Sequence, residues 1–268
     1  MTVHVSNVSI KRGERVIVED ISFRIAPGQF MAIAGINGSG KSTLLAGLSG
    51  ELTVATGEIR IADVPLPEWS LKELAKRRAV LLQDSDLSFP FTVLDVVLMG
   101  RSAYNSGMET PRDLEITSAA LEKVGLSDFA TRRYTNLSGG ERQRVHLARV
   151  LAQVWSDSPT PDSTHPTRYL LLDEPTASQD LAAQHRVLSS ARDFADAGGI
   201  VIAVLHDLNQ VSQYADQVLL LSDGHIAGLG GPRDVLTPEL LESVYGVPIQ
   251  VIEQPTLAHP LIVSCRQD

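Results

Sequence analysis

The most informative segment of this chain is Gly35-Ile36-Asn37-Gly38-Ser39-Gly40-Lys41-Ser42. It matches the pattern G-x-x-x-x-G-K-[ST], which is typical of a loop that cradles phosphate groups. The apolar residues 30–34 before it predict a buried strand, and residues 41–50 after it predict a helix that ends at a glycine. Because the motif needs a strand before it and a helix after it, the sequence predicts a loop that binds the phosphates of ATP or GTP.

The residue types in this stretch suit phosphate chemistry. Glycines let consecutive backbone N–H groups converge on a phosphate, and the following helix adds the positive end of its dipole. Lys41 is expected to pair with the β- and γ-phosphate oxygens, and Ser42 is expected to offer its hydroxyl to Mg²⁺. The predicted nucleotide contacts in this region are Gly35, Asn37, Gly38, Ser39, Gly40, Lys41, Ser42 and Thr43.

A second predicted strand, residues 169–173, has four apolar residues and ends in Asp173. Ligands bind at the carboxyl ends of strands in open α/β sheets, so Asp173 is predicted to hold Mg²⁺ through water. Glu174 follows at the mouth of the strand. It is predicted to orient or deprotonate the water that attacks the γ-phosphate.

Two further polar residues end apolar strands. His206 follows residues 201–205 and could hold the attacking water in line, whereas Gln83 ends residues 79–83 and could bind Mg²⁺ and sense the γ-phosphate. A lone histidine is more often structural or merely exposed, and a lone glutamine at this place is often a surface turn residue. The neighbouring motifs favour the functional interpretation of both.

Composition sets the outer limits. The chain has 268 residues and a net charge of −9, which disfavours broad nucleic-acid binding, and no apolar run is long enough to span a membrane. The basic run near Lys72 is interpreted as a solvated helix face. With one cysteine, Cys265, a disulfide framework is excluded, and without a signal peptide the chain is expected to stay in the cytosol.

The order of predicted elements indicates an α/β fold. Two or three antiparallel strands are predicted within residues 2–34, and a mostly helical region within 92–150. Strands at 169–173, 200–205 and 217–222 alternate with helices at 180–197 and 207–214, which is a doubly wound pattern. Thr92 and Thr110 are predicted to cap helices, residues 70–78 to form another, and residues 156–168, rich in proline and small polar residues, to form an exposed loop.

A second loop, Leu137-Ser138-Gly139-Gly140-Glu141, precedes a predicted helix of about residues 139–153. The serine hydroxyl, the glycine amides and the helix dipole suit an anion. Two anion sites in one chain are compatible with two ligands or with one ligand held between two chains. An ordinary helix N-cap is the third possibility, since serine and glycine also serve that purpose.

The motifs in this order resemble the ATP-binding subunits of ABC transporters over essentially the whole chain. The resemblance rests on residues 35–42, Gln83, residues 137–144, residues 170–176 and His206. It implies one domain over residues 1–268, a P-loop NTPase fold with an antiparallel β subdomain. The RecA-like core would span roughly 1–83 and 155–268, and an inserted helical subdomain roughly 84–154.

The resemblance also implies a head-to-tail homodimer with two ATP molecules and Mg²⁺ at its interface. Ser138, Gly139 and Gly140 would contact the γ-phosphate bound by the other copy, and Asp180 would lie in the loop that links the two sites. Two membrane permease subunits would dock near residues 84–104. The chain would then lie at the cytoplasmic face of the inner membrane.

A narrower resemblance points to the cargo. Residues 93–101 resemble importers of metal chelates, haem and vitamin B12. Residues 149–155, 204–209, 214–216 and 235–248 are most similar to haem (hemin) importers, which also implies a periplasmic haem-binding protein. Importers of ferric siderophores or vitamin B12 share most of these residues and stay as alternatives. A soluble, non-transport ABC ATPase is disfavoured because no sustained heptad pattern separates the two loops.

Two residues depart from the family pattern. No aromatic residue lies near Lys11 and Arg12 to stack on adenine, so either the Arg12 guanidinium takes that place or recognition of the base is weak. Gln179 replaces the leucine that is usual before the aspartate of the linking loop. This substitution bears on how the two sites are coupled.

Overall fold

The computed structural model describes residues 2–83, 87–104, 108–155, 167–177 and 179–265. The chain divides into two compact units, one formed by Met1–Glu68 with Ile202–Asp268 and the other by Trp69–Val201. Most of the loop predicted at 156–168 lies outside the described residues. The predicted division into a core and a helical subdomain stays a prediction.

The described elements are twelve strands and nine α-helices. The strands are β1 Val3–Arg12, β2 Arg15–Ile25, β3 Phe30–Gly35, β4 Thr56–Ile61, β5 Val64–Pro65, β6 Arg78–Leu81, β7 Tyr169–Asp173, β8 Ile200–Val204, β9 Gln217–Ser222, β10 His225–Gly230, β11 Ile249–Ile252 and β12 Leu261–Ser264. The helices are α1 Lys41–Ser49, α2 Leu71–Arg77, α3 Val93–Leu98, α4 Pro111–Lys123, α5 Gly139–Gln153, α6 Leu181–Asp196, α7 Leu208–Tyr214, α8 Pro232–Val235 and α9 Pro238–Tyr245. Among the described residues, no helix is both long enough and apolar enough to cross a bilayer.

The first unit contains an antiparallel sheet in the order β2-β1-β4-β5. β1 and β2 alternate between buried and more exposed residues, as expected of strands with one face on a core. Val3 and Val5 of β1 lie opposite Ile25 and Phe23 of β2, and all four are buried. Of the two or three antiparallel strands predicted within residues 2–34, the structure has two.

The strand before the phosphate loop belongs to a parallel pair. β3 is buried along its whole length and pairs in parallel with β9, with Gly35 opposite Leu221. Asp216 fixes the start of β3, because its carboxylate accepts a 2.7 Å hydrogen bond from Phe30 N and its own N–H donates to Phe30 O at 2.8 Å. A strand buried on both faces reads as a continuous apolar run, which is why this one was predictable.

In the second unit, β6 and β7 form a parallel pair, and helices follow the predicted caps. Thr92, Thr110 and Ser138 each accept a hydrogen bond from a backbone N–H three residues on, and each belongs to a capping box. The prediction that β6 extends to Gln83 is wrong. The strand ends at Leu81, and Gln83 lies in an exposed bend.

A buried ion pair ties three segments of the second unit together. Arg101 Nε lies 2.9 Å from Asp113 Oδ1, and Arg101 Nη1 donates to Ala152 O at 2.8 Å. The guanidinium also lies over the ring of Tyr104, 3.9 Å from its centroid. Because the side chains of Arg101 and Asp113 are 7% and 4% exposed, neither charge can be solvated by water if its partner is removed.

We expect Arg101→Ala to lower the free energy of unfolding by about 3–5 kcal/mol, since it leaves the Asp113 carboxylate buried without its ion-pair partner. Chemical denaturation followed by circular dichroism measures the change. Arg112→Ala is the matched control, because Arg112 pairs with Glu115 on the exposed face of the same helix, where such pairs contribute about 0.3–0.5 kcal/mol. Equal losses for the two variants would contradict the prediction.

Candidate functional site

The loop between β3 and α1 has a backbone that only glycine accommodates at two positions. Gly35, Gly38 and Gly40 have φ angles of 143°, 81° and 102°. A Cβ on Gly35 would lie 2.2 Å from Leu221 O, and a Cβ on Gly40 would lie 2.9 Å from Val18 Cγ2. The loop therefore packs against its neighbours without room for a side chain at Gly35 or Gly40.

Lys41 holds its ammonium group over this loop. Its Nζ donates to Gly35 O at 2.9 Å and to Ile36 O at 2.8 Å, and the residue is 5% exposed. No side chain caps the N-terminus of α1 and no acidic residue occupies its first turn. The charge of Lys41 and the positive end of the helix thus act together, which suits a polyanion.

The other predicted phosphate contacts divide by burial. Asn37 and Gly38 are exposed at the rim of the loop, Ser42 is half-buried, and Thr43 is buried. Ser39 is also buried, and its Oγ has no hydrogen-bond partner among the described residues. A buried hydroxyl without a partner is costly, so a phosphate oxygen at this position would relieve that cost.

Sequence analysis missed a residue that supports the loop. Gly224, in the turn between β9 and β10, donates its N–H to Ser39 O at 3.2 Å, and its own carbonyl accepts from Glu19 N at 2.9 Å. Its φ is +80°, and a Cβ there would lie 2.4 Å from Ile17 O. The dipeptide Asp223-Gly224 is a hairpin signal, but no local pattern says which loop that hairpin touches.

His206 and Arg12 also belong to the first unit, and both are exposed. His206 follows Leu205, whose N–H donates to Ile33 O at 3.1 Å, so the histidine comes at the carboxyl end of β3 beside Gly35. Arg12 ends β1, opposite Arg15. The contact lies one residue before His206, and the role of His206 at the γ-phosphate stays a prediction.

In the second unit, the structure brings Gln83 and Glu174 together. Gln83 Nε2 donates to Glu174 Oε2 at 2.9 Å. Glu174 has a left-handed backbone, with φ +48°, and directly follows Asp173, which is buried at the end of β7. Gln143 of α5 donates to Glu174 O at 3.3 Å, a contact that the sequence did not predict.

Ser138 carries a capping box at the start of α5. Its Oγ donates to Glu141 Oε2 at 2.8 Å, and its backbone N–H donates to the same oxygen at 2.8 Å. These hydrogen bonds from the Ser138 N–H and hydroxyl hold the pKa of Glu141 below its ordinary value. Ser138 and Gly139 are exposed, and a Cβ on Gly139 would meet no atom within 4 Å, so this end of the helix is open to a ligand.

The loop that contains Gln179 and Asp180 contacts the start of α5. Asp180 caps α6 by accepting from Ala183 N at 2.8 Å, and Gln179 Nε2 donates to Pro175 O at 2.9 Å. Gln179 Cγ lies 3.7 Å from the position of a Cβ on Gly140. Gln179 therefore lies between Pro175 and Gly140, and Gly140 belongs to the loop of residues 137–141 in the same chain. Ser178 lies outside the described residues.

The described residues contain no group of three or more His, Cys, Asp or Glu side chains that could hold a metal ion by itself. Mg²⁺ usually takes one or two carboxylates and completes its shell with waters and substrate phosphates. Asp173, the Ser42 hydroxyl and the amide oxygen of Gln83 are hard oxygen donors of the required kind. Taken unit by unit, the Ser42 hydroxyl of the first unit and the Asp173 and Gln83 oxygens of the second are each chemically suited to Mg²⁺.

Comparisons with known proteins agree with this geometry. The family model described as "ABC transporter" matches residues 18–177. The Hemin import ATP-binding protein HmuV of Gloeobacter violaceus is 46% identical over 96% of this chain and 92% of that protein. The protein of the same name from Myxococcus xanthus is 46% identical over 98% and 97%.

Solved structures match as well. A metal-chelate type ABC transporter in an inward-facing conformation has a TM-score of 0.82 at 29% identity, over 99% of this chain and 98% of that one. A dimeric ATP-binding cassette in a post-hydrolysis state, bound to ADP and Pi, has a TM-score of 0.71 at 27% identity, over 86% and 99%. The predicted α/β ATPase fold is confirmed by these likenesses.

We expect Gly224→Ala to weaken ATP binding at least about tenfold, or about 1.4 kcal/mol, because the added Cβ would push the turn away from Ser39. Titration with a fluorescent ATP analogue measures the affinity. Gly28→Ala is the matched control, since Gly28 has a similar φ of +86° but open space around its Cβ position. An affinity loss of the same size in both variants would attribute the effect to backbone strain and not to the loop contact.

Proposed function

Because this chain belongs to the ABC transporter family as an ATP-hydrolysing subunit, we propose that it powers the import of haem. The observation that carries the proposal is the nearly full-length match to relatives whose names specify hemin import. The residues quoted for the narrower resemblance in the sequence agree with it. Two copies of the chain would bind two ATP molecules between them, which the likeness to a dimeric ATP-binding cassette supports.

The phosphate loop binds ATP before hydrolysis begins. Its N–H groups surround the phosphates, and Lys41 turns its ammonium from Gly35 O and Ile36 O toward the β- and γ-phosphates. The hydroxyl of Ser39 takes a phosphate oxygen as its partner. Arg12 stacks its guanidinium on adenine, in the place where an aromatic residue is usual.

Mg²⁺ is held by Ser42, Asp173 and Gln83 in this proposal. When bound, it neutralises charge that develops on the β- and γ-phosphates. Because Gln83 donates to Glu174 with Nε2, its Oε1 would be the atom available to the cation. The Gln83 amide could therefore donate to Glu174 and bind the metal ion at the same time.

Glu174 acts as the base that accepts a proton from the attacking water, and His206 holds that water in line with the γ-phosphate. The carboxylate needs a fixed direction to do this. Gln83 fixes one oxygen at 2.9 Å, and the left-handed backbone of Glu174 fixes the start of the side chain. Strained backbone at such a position is often part of a mechanism.

Each site is completed by the other copy. Ser138, Gly139 and Gly140 bind the γ-phosphate held by the partner's phosphate loop, and Asp180 lies in the loop that joins the two sites. The Ser138 hydroxyl has one proton, which it now donates to Glu141. Closure of the dimer redirects that proton to the γ-phosphate while Ser138 continues to cap α5 through its oxygen.

Two membrane permease subunits dock near residues 84–104, each with a short helix. Large apolar side chains are exposed within this segment and close to it in sequence: Leu82 at 45%, Phe89 at 68% and Met108 at 82%. Solvent-facing apolar groups of this size favour burial against a partner. Residues 84–86 lie outside the described residues. A periplasmic haem-binding protein delivers cargo to the permeases, and the ATPase subunits lie at the cytoplasmic face of the inner membrane.

A second cargo class has one observation in its favour. The solved structure with the TM-score of 0.82 is a metal-chelate type transporter, a description that fits ferric siderophores and vitamin B12 as well as it fits haem. Cargo is recognised mainly by permeases and binding proteins. The choice between these cargoes and haem therefore depends on transport measurements.

We expect Glu174→Gln to lower kcat for ATP hydrolysis by about 10²–10⁴-fold while ATP binding stays within about twofold, because only the base is lost. With ATP and Mg²⁺, this variant should run as a stable dimer in size-exclusion chromatography. The double variant with Ser138→Ala and Glu174→Gln should no longer form that dimer, because Ser138 is proposed to bind the γ-phosphate held by the other copy. Glu115→Gln, on an exposed face of α4, is the control. Normal turnover by Glu174→Gln would refute the assignment of the base.

We expect the subunit, reconstituted with its permeases in proteoliposomes, to raise its ATPase rate when a haem-loaded binding protein is added outside. Haem uptake should follow ATP hydrolysis and disappear in liposomes that carry Glu174→Gln. The same liposomes are tested with ferric-siderophore and cobalamin binding proteins. Stimulation by one of those and not by haem would replace the cargo and keep the ATPase function.

A further inference from the structure

The C-terminal hairpin, defined as β11 and β12 with the residues between them, contacts the helix that follows His206. β11 and β12 pair antiparallel, from Ile249 opposite Ser264 to Ile252 opposite Leu261. The hairpin is attached firmly to the preceding helix α9. Ile249 N donates to Glu242 Oε1 of that helix at 2.9 Å, whereas the bond from Cys265 N to Pro248 O at 2.8 Å closes the open end of the hairpin itself.

Asn209 joins α7 to the outer edge of this hairpin. Its Oδ1 accepts from Ile262 N at 2.8 Å, and its Nδ2 donates to Ile262 O at 3.1 Å. The side-chain amide thus bonds the strand as the peptide group of a third strand would. One turn further along the helix, the buried Ser212 hydroxyl donates to Pro260 O at 2.8 Å.

These bonds act on a short helix that begins two residues after His206. α7 has seven residues, and a helix of that length is not stable without tertiary contacts. His206 precedes the cap of this helix, Asp207, whose carboxylate accepts from Asn209 N at 2.8 Å. Asn209 therefore bonds the loop of His206 through its backbone and the hairpin through its side chain.

We propose that Asn209 is a positioning residue for ATP hydrolysis and that the C-terminal hairpin is the brace against which it sets the loop of His206. The proposal rests on the role proposed above for His206. In this arrangement the hairpin does not touch ATP. It fixes the direction of α7, and through it the distance between the histidine and the γ-phosphate, where a shift of about 1 Å can cost about a hundredfold in rate.

A second contact of the same C-terminal region supports the proposal. Tyr245, the last residue of α9, lies against the phosphate loop. Burial raises the pKa of its phenol, and a hydrogen bond with the Gly35 backbone opposes that rise. Helix α9, to which the hairpin is attached, therefore also contacts the phosphate loop through Tyr245.

The first test uses single variants in the full-length protein. We expect Asn209→Ala to lower kcat about tenfold with the ATP dissociation constant unchanged, because binding depends on the phosphate loop and not on α7. Asn209→Asp keeps an acceptor for Ile262 N but loses the donor to Ile262 O, so an intermediate rate is expected. Ser212→Ala should act in the same direction. Gln250→Ala, exposed on β11, is the control and should turn over as the wild type does.

Radiolabelled ATP in single-turnover reactions resolves slow variants, and thermal melting reports the stability of each. A purely structural role would lower the melting temperature and leave the rate per folded molecule unchanged, which would overturn the proposal. Wild-type rates for both Asn209→Ala and Ser212→Ala would also overturn it. If Asn209→Ala fails to fold, Asn209→Asp and Ser212→Ala decide the question by the same criteria.

A double-mutant cycle with His206→Ala separates this proposal from the function on which it rests. If Asn209 acts through His206, adding Asn209→Ala to His206→Ala should slow single-turnover hydrolysis no further. A further tenfold loss in the double variant would overturn the positioning role. A normal rate for His206→Ala alone would instead refute the role of the histidine, whatever Asn209 does.

Discussion

The phosphate loop can follow its path only because Gly35 and Gly40 have no Cβ. The space that a side chain would need is filled by Leu221 O at the first glycine and by Val18 at the second. The loop is therefore shaped by β2 and β9, which lie far apart in sequence. The β9–β10 turn adds a hydrogen bond from Gly224 to Ser39. The conformation of the phosphate loop thus depends on the folded first unit and not on the eight-residue motif alone.

Much of this chain could be predicted from sequence because the signals are local. Thr92, Thr110 and Ser138 cap helices through atoms within three residues, so the residue types are sufficient. The continuous apolar run of β3 is equally plain. The end of β6 was placed too late, at Gln83. Leu82 looks like a strand residue, yet it is 45% exposed and already outside the sheet.

The contacts that the sequence did not reveal join distant segments. Nothing near Gly224 indicates that it touches Ser39, and nothing near Asn209 indicates a partner at Ile262. The contact of Gln143 with Glu174 is of the same kind. The residues that perform chemistry occur in recognisable motifs, whereas the residues that orient them are chosen by tertiary packing. Their identity becomes visible only when the neighbouring backbone is in place.

Tyr104, which stacks on Arg101, has a feature that matters for communication within the second unit. Its hydroxyl lies 2.8 Å from Gln153 O and 3.1 Å from Lys76 O, at the ends of two different helices. Burial raises the pKa of this phenol, so it stays protonated at neutral pH. The single hydroxyl hydrogen is shared between two carbonyl acceptors, so it can point fully at only one of them. A small displacement of the chain around Tyr104 would tighten its hold on one helix end and release the other.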